Sequence, residues 1–423
     1  MDFILKGDIA YSKNSKEINT MKDGYLICLN GISQGVFEKI PEQYQNLPIH
    51  DYSGKLVMPG MTDLHIHAPQ YAFRGMYMDE ELLDWLKKYT FPEEAKFADL
   101  EYARKSYGMF AEQMRKSATT RAVIFGTVHR EATEILMDEM EKSGLCTYVG
   151  KVNMDRDAPE ELLDASAQES ARETVQWLQE TAGRYEHTRP ILTPRFIPCC
   201  TEELLKELQK IVDGYKLPVQ SHLSENPGEV ELVHKLMPDT AFYGEGYDKY
   251  HLFGSHSKTI MAHCVYSVEE EVDLMNRNRV YVAHCPSSNR NLSSGIAPVR
   301  KYLDQGVNVG LGSDVAAGES ESIFSEIRSA VGMSKMYRRY VDPTAQPLTI
   351  QEAFWLATVS GGSFFGKVGS FEAGYEVDAI VLDETSEPHP QPLGILERVE
   401  RSIYLGLDKN GIAAKYVQGR KIM

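Results

Sequence analysis

The chain has 423 residues, 42% of them hydrophobic, enough to bury a sizeable core in one large domain with an attachment or in two to three domains. Its 61 acidic residues against 45 basic ones give a formal net charge of -16, which argues against a nucleic-acid partner and against docking on anionic lipid. Residues 1–10 lack the basic and apolar regions of a secretory leader, and no run of about 18 apolar residues occurs. The six cysteines include no C-x-x-C pair, so the expectation is a cytoplasmic chain with reduced thiols, no membrane span and no zinc ribbon.

In chain order, residues 1–57 read as short strands and turns, with Asn30-Gly31 as a hairpin signal. Residues 374–382 and 412–419 repeat that style at the other end. The two ends, 1–57 and 369–423, are therefore expected to build one small β-sandwich domain. The middle alternates. Strands are predicted over 61–67, 119–128, 146–153, 191–196, 219–223, 259–264, 280–285 and 307–313. Helical patterns run over 100–116, 131–142, 166–181, 202–215 and 321–338. Eight strand–helix repeats predict an α/β chain whose residues 58–368 close into a (β/α)8 TIM-like barrel. Thr349-Ile350-Gln351-Glu352 reads as a capping box opening the last helix.

Catalytic residues of such a barrel sit where its strands end, so position tests each candidate. With a strand's period of two, Asp63, His65 and His67 share one face. His222 ends the fifth strand, with Glu225 on the loop above it. His263 ends the sixth, and Asp314 lies just past the eighth. Each alone has a bland explanation, a hydrogen-bonded core histidine or a helix-capping aspartate. Together at one rim they predict a metal site in which three imidazoles and one carboxylate hold a divalent ion. Such an ion lowers the pKa of water towards about 7. Asp314 can then accept the water proton, and His263 can orient the nucleophile. Glu225, a carboxylate off the metal, can shuttle protons to a substrate ring nitrogen, as hydrolytic deamination requires. His129 and His284 also follow strands and are read as structural, His284 with a second reading as a residue orienting a ligand. Cys264 and Cys285 are expected to be buried and inert.

Residues 59–67, followed by His222, His263 and Asp314, resemble the amidohydrolase superfamily in its single-metal aminohydrolase branch. Residues 63–73, 83–92, Pro194-Arg195-Phe196, residues 221–226, 283–289 and 310–316 are similar to the guanine deaminase family. This resemblance implies one metal ion per subunit, zinc or iron, held by His65, His67, His222 and Asp314. It implies Glu225, Asp314 and His263 as the catalytic groups. It implies that guanine is held by His67, Gln70, Arg195, Phe196, His222, Glu225 and Asp314. Arg195 can donate to the purine O6 or N7 side, Phe196 can stack on the ring, and the Gln70 amide can both donate and accept. A surface salt bridge for Arg195 and core packing for Phe196 are the plainer alternatives. Pro69 and Arg74 depart from the family pattern beside the site. On the same scaffold the substrate could instead be another nucleobase, an adenosyl nucleoside or a triazine. Residues 71–92 are the candidate lid, and apolar helix faces outside the barrel permit a homodimer.

Overall fold

The computed structural model describes residues 2–423. Chain ends meet in one seven-stranded sheet. Its order is Arg420–Lys421, Ile412–Val417, Ala379–Leu382, Ile49–Pro59, Phe3–Asn14, Glu17–Leu29 and Ile32–Phe37. All neighbours are antiparallel except Phe3–Asn14 beside Ile49–Pro59, which is parallel. The hairpin at Asn30-Gly31 forms where both residues take positive φ, 51° and 79°, a turn conformation that this dipeptide favours. Strand alternation divides the sheet's side chains between two cores. Phe3, Leu5, Val57 and Val381 pack within the sheet's own cluster, whereas Leu56, Met58, Ile380 and Leu382 face the barrel's.

The middle of the chain is a ring of parallel strands. Met61–His67, Thr119–Phe125, Cys146–Gly150 and Thr188–Pro190 pair in that order. Val152–Asn153 pairs with Thr193–Pro194. Val219–Leu223, Thr259–His263, Tyr281–His284 and Asn308–Leu311 follow, with Val219 bridged to Leu192. Asp314 N donates to His65 O at 2.8 Å and His67 N to Val315 O at 3.2 Å, which closes the ring. Every residue of Met61–His67 and Thr119–Phe125 is buried, as expected of parallel strands covered on both faces.

Two expected strands differ in detail. The third, expected over 146–153, breaks at Lys151. The fourth, expected over 191–196, divides into Thr188–Pro190 and Thr193–Pro194. Proline at 190 and 194 cannot donate to a ladder, and the short pieces follow from that. The capping box at Thr349 and Glu352 forms as its spacing predicts. No helix among the described residues is long and apolar enough to cross a membrane.

Candidate metal centre and active site

His65 and His67 project from the first strand's end into the ring. Their Nε2 atoms lie 3.2 Å apart, and His67 Nε2 lies 3.2 Å from His222 Nε2. Asp314 Oδ1 is 3.1 Å from His65 Nε2 and 3.4 Å from His67 Nε2. Four ligand atoms bound at about 2.0–2.2 Å to one tetrahedral ion stand about 3.4 Å apart, so this donor set fits a divalent metal. The fit extends to the tautomers. His222 Nδ1 donates to Arg195 O at 2.6 Å, which leaves its Nε2 lone pair facing inward. Burial depresses the pKa of His65, and depresses those of His67 and His222 strongly, so all three are neutral ligands at pH 7. Burial alone would raise the Asp314 pKa, but His65, His263 and His67 outweigh it and keep the carboxylate ionised.

His263 stands beside this set. Its Nε2 lies 3.4 Å from Glu225 Oε2 and 3.8 Å from Asp314 Oδ2, and its Nδ1 donates to Asn289 Oδ1 at 2.9 Å. Burial opposes its protonation, but Glu225 and Asp314 outweigh that and raise its pKa. Burial pushes the Glu225 carboxyl up to about 7, with Glu229 and Asp314 adding to the rise. Ser294 Oγ donates to Glu225 Oε1 at 3.0 Å, and Glu229 accepts the Glu225 backbone N–H at 2.9 Å. Glu225 is thus a buried acid of near-neutral pKa, held at both its carboxylate and its backbone, close to the metal ligands.

The loops that carry these groups are tightly constrained. His263 and Asp314 both have positive φ, 71° and 47°, uncommon for residues with a Cβ and often found at functional sites. A Cβ on Gly318 would stand 1.7 Å from Ser313 O, so only glycine fits the turn behind Asp314, where Gly318 N donates to Asp314 O at 2.6 Å.

A cavity opens over the cluster. Its polar lining comprises His67, Gln70, Arg195, His222, Glu225, His263 and Asp314, and Phe196, Leu82, Trp85, Leu86 and Leu292 form apolar walls. Three of those walls come from residues 82–86, within the segment expected to act as a lid. The structure therefore brings every sequence-derived site residue to one place. Arg195 is not a surface ion pair, since it is 2% exposed and its partner is the buried Glu94.

His284 is buried with Nδ1 unpartnered and its pKa pushed down to about 3 by burial, with His263 adding to the fall; it supplies no donor to the cluster. His129 heads the helix Arg130–Ser143 and also stands outside the cluster. Cys264 and Cys285 are buried, with thiol pKa values pushed well up by burial. Glu94, Glu229, Asn289 and Ser294 were not legible as site residues. Only their contacts, made across distant segments, mark them. A separate group, Asp213, His251 and His256, has its imidazoles stacked 3.5 Å apart at 5°. His251 Nδ1 lies 3.0 Å from Asp213 Oδ1, and none of the three lines the cavity.

Known proteins resemble this chain along nearly its whole length. The family model described as "Amidohydrolase family" matches residues 56–421. The guanine deaminase of Homo sapiens is 38% identical, with 99% of this chain and 96% of that protein covered. That of Escherichia coli K12 is 33% identical, with 95% and 91% covered. The crystal structure of guanine deaminase from C. acetobutylicum with bound guanine in the active site superposes with a TM-score of 0.97. It is 44% identical, and both chains are fully covered.

Proposed function

We propose that this chain, which belongs to the amidohydrolase family, catalyses the hydrolytic deamination of guanine to xanthine and ammonia. The observation that carries this reading is the meeting of four metal-type donors, from His65, His67, His222 and Asp314, with the off-metal acid Glu225 beneath an apolar-walled cavity. The relatives supply the base; the donor set supplies the chemistry.

The residues His65, His67, His222 and Asp314 would hold one divalent ion, and three nitrogens with one oxygen suit zinc or iron. Such an ion supplies Lewis acidity that makes water a nucleophile at neutral pH. The chain's own groups do the rest. Phe196 covers one face of the purine, and the donors of Arg195 take its O6 side. The Asp314 carboxylate, kept ionised among the imidazoles, accepts the proton of the attacking water, and His263 orients that water for attack at C2. Glu225, with a pKa of about 7, can donate its proton to N3 as the ring accepts electrons. The proton that Asp314 took from water then passes to the C2 amine, which leaves as ammonia when the C2–N bond breaks, and Glu225 takes back the C2 hydroxyl proton as the carbonyl forms. Leu82, Trp85 and Leu86 keep bulk water from the ring.

The wider setting is part of the same reading: a cytoplasmic enzyme of purine catabolism or salvage, working as a homodimer. The test is xanthine formation from guanine by the purified chain, with and without chelator. We expect turnover that chelator abolishes and added zinc or iron restores. No xanthine from the metal-loaded chain would end this reading.

A further inference from the structure

We infer that Glu94, which lies outside the cavity, sets the hydrogen-bonding direction of the purine-reading edge and so selects an oxo group over an amino group at purine C6. This rests on the reading of Gln70 and Arg195 as the residues that meet the base.

Glu94 lies in the short helix Phe91–Ala95 and is 1% exposed. Its Oε1 accepts from Gln70 Nε2 at 2.9 Å and from Arg195 Nη2 at 3.1 Å, and its Oε2 accepts from Arg195 Nη1 at 2.5 Å. At its other end, Gln70 Oε1 accepts the backbone N–H of Ala316 at 3.1 Å. These partners are chemically one-sided. An ionised carboxylate only accepts, and a backbone N–H only donates.

A free glutamine amide can turn end for end and meet either a carbonyl or an amino group. Gln70 cannot turn without facing its Nε2 to the Ala316 N–H and its Oε1 to the Glu94 carboxylate, which leaves two buried mismatches. Its order of donor and acceptor toward the cavity is therefore set. Glu94 also matches the charge of Arg195, whose guanidinium is buried against Phe91 at 5.2 Å. That guanidinium only donates, whichever way it turns. An edge with donors at Arg195 and one fixed amide complements a carbonyl oxygen. An exocyclic amine in the same place would set donor against donor. Sites built to pair a particular polar group reject analogues that cannot pair it. Glu94 is on this account a positioning residue for specificity, acting through Gln70 and Arg195.

The probe is 2,6-diaminopurine, which keeps the amine at C2, carries an amine in place of the C6 oxygen and lacks the N1 hydrogen that accompanies that oxygen. The ratio of kcat/KM for guanine to that for 2,6-diaminopurine is measured, with inhibition constants replacing turnover if the analogue is not deaminated. Glu94→Gln gives Gln70 a partner that can donate or accept. Glu94→Asp keeps the charge beside Arg195 but is shorter by one methylene and cannot reach both neighbours, so it remains informative if Glu94→Gln fails to fold. We expect the ratio to fall about tenfold or more in either variant, the factor given by one hydrogen bond of ordinary worth, with most of the loss on guanine in KM. A folded, metal-loaded variant that loses activity on both bases equally, with the ratio unchanged, would overturn the role of Glu94. Guanine turnover by the parent chain reports separately on the proposed function.

Discussion

Asp63 holds Ser313 with both of its carboxylate oxygens. Oδ1 accepts the Ser313 N–H at 3.0 Å, and Oδ2 accepts the Ser313 hydroxyl at 2.5 Å. Asp63 lies two residues before His65, and Ser313 one residue before Asp314. This contact therefore sets the first-strand histidines against the last-strand carboxylate. Oδ1 also accepts the His65 N–H at 3.1 Å. In Asp63→Ala two buried backbone donors lose their partner, at a cost of about 2–4 kcal/mol. We expect a lower urea midpoint and metal affinity weakened about 10–100-fold, as for other groups that orient ligands. Metal content after dialysis and an unfolding curve check both; parental values would show that the two strand ends hold their register without this link.

Glu225 touches no ligand-type atom of the four-donor set, so its chemistry and metal retention should separate. We expect Glu225→Gln to retain metal while kcat falls by about 10²–10⁴. Near-normal turnover would remove Glu225 from the proton path.

Arg121, on the second barrel strand, carries the charge that matches Asp378 beside the terminal sheet. Its Nε donates to Asp378 Oδ2 at 2.7 Å and its Nη2 to Asp378 Oδ1 at 3.1 Å, with both side chains buried. Arg121→Met should destabilise the chain by about 3–5 kcal/mol, because it strands a buried carboxylate. Arg121→Met with Asp378→Leu should recover much of that loss. If residues 1–57 and 369–423 fold as a unit separate from the barrel, the single variant will split one thermal transition into two; otherwise it will shift one transition downward.

Lys415 is buried, and its Nζ donates to Met114 O at 3.0 Å and Thr119 O at 2.8 Å. Burial pushes its pKa well below the usual 10.5, with Arg115 adding to the fall. Between the depressed and the ordinary value, the unfolded chain binds a proton that the folded chain does not. Stability should therefore rise with pH across that window, by up to about 1.4 kcal/mol per pH unit, and lose the benefit as pH falls through the folded pKa. Urea midpoints of the parent and Lys415→Met, compared at pH 7 and pH 9.5, test this. The parent should gain more stability than the variant, and equal gains would assign the slope to other groups.

Sequence periodicity determined the strand–helix alternation, the ring that follows from it, and the rim on which His65, His67, His222, His263 and Asp314 meet. Those features were legible because a strand's period of two and the strand-end rule act through local spacing alone. Breaks at Lys151 and within 188–194 were not, since a long strand and two short ones share the same apolar pattern. Tertiary structure alone decided the partners. Glu94 between Gln70 and Arg195, Glu229 under Glu225, and Asn289 behind His263 join segments far apart in the chain. Hydrogen bonds depend on distance and direction in space, which no one-dimensional spacing encodes. The pKa of Glu225 was equally out of reach, because the burial that raises it to about 7 exists only once the ring has closed.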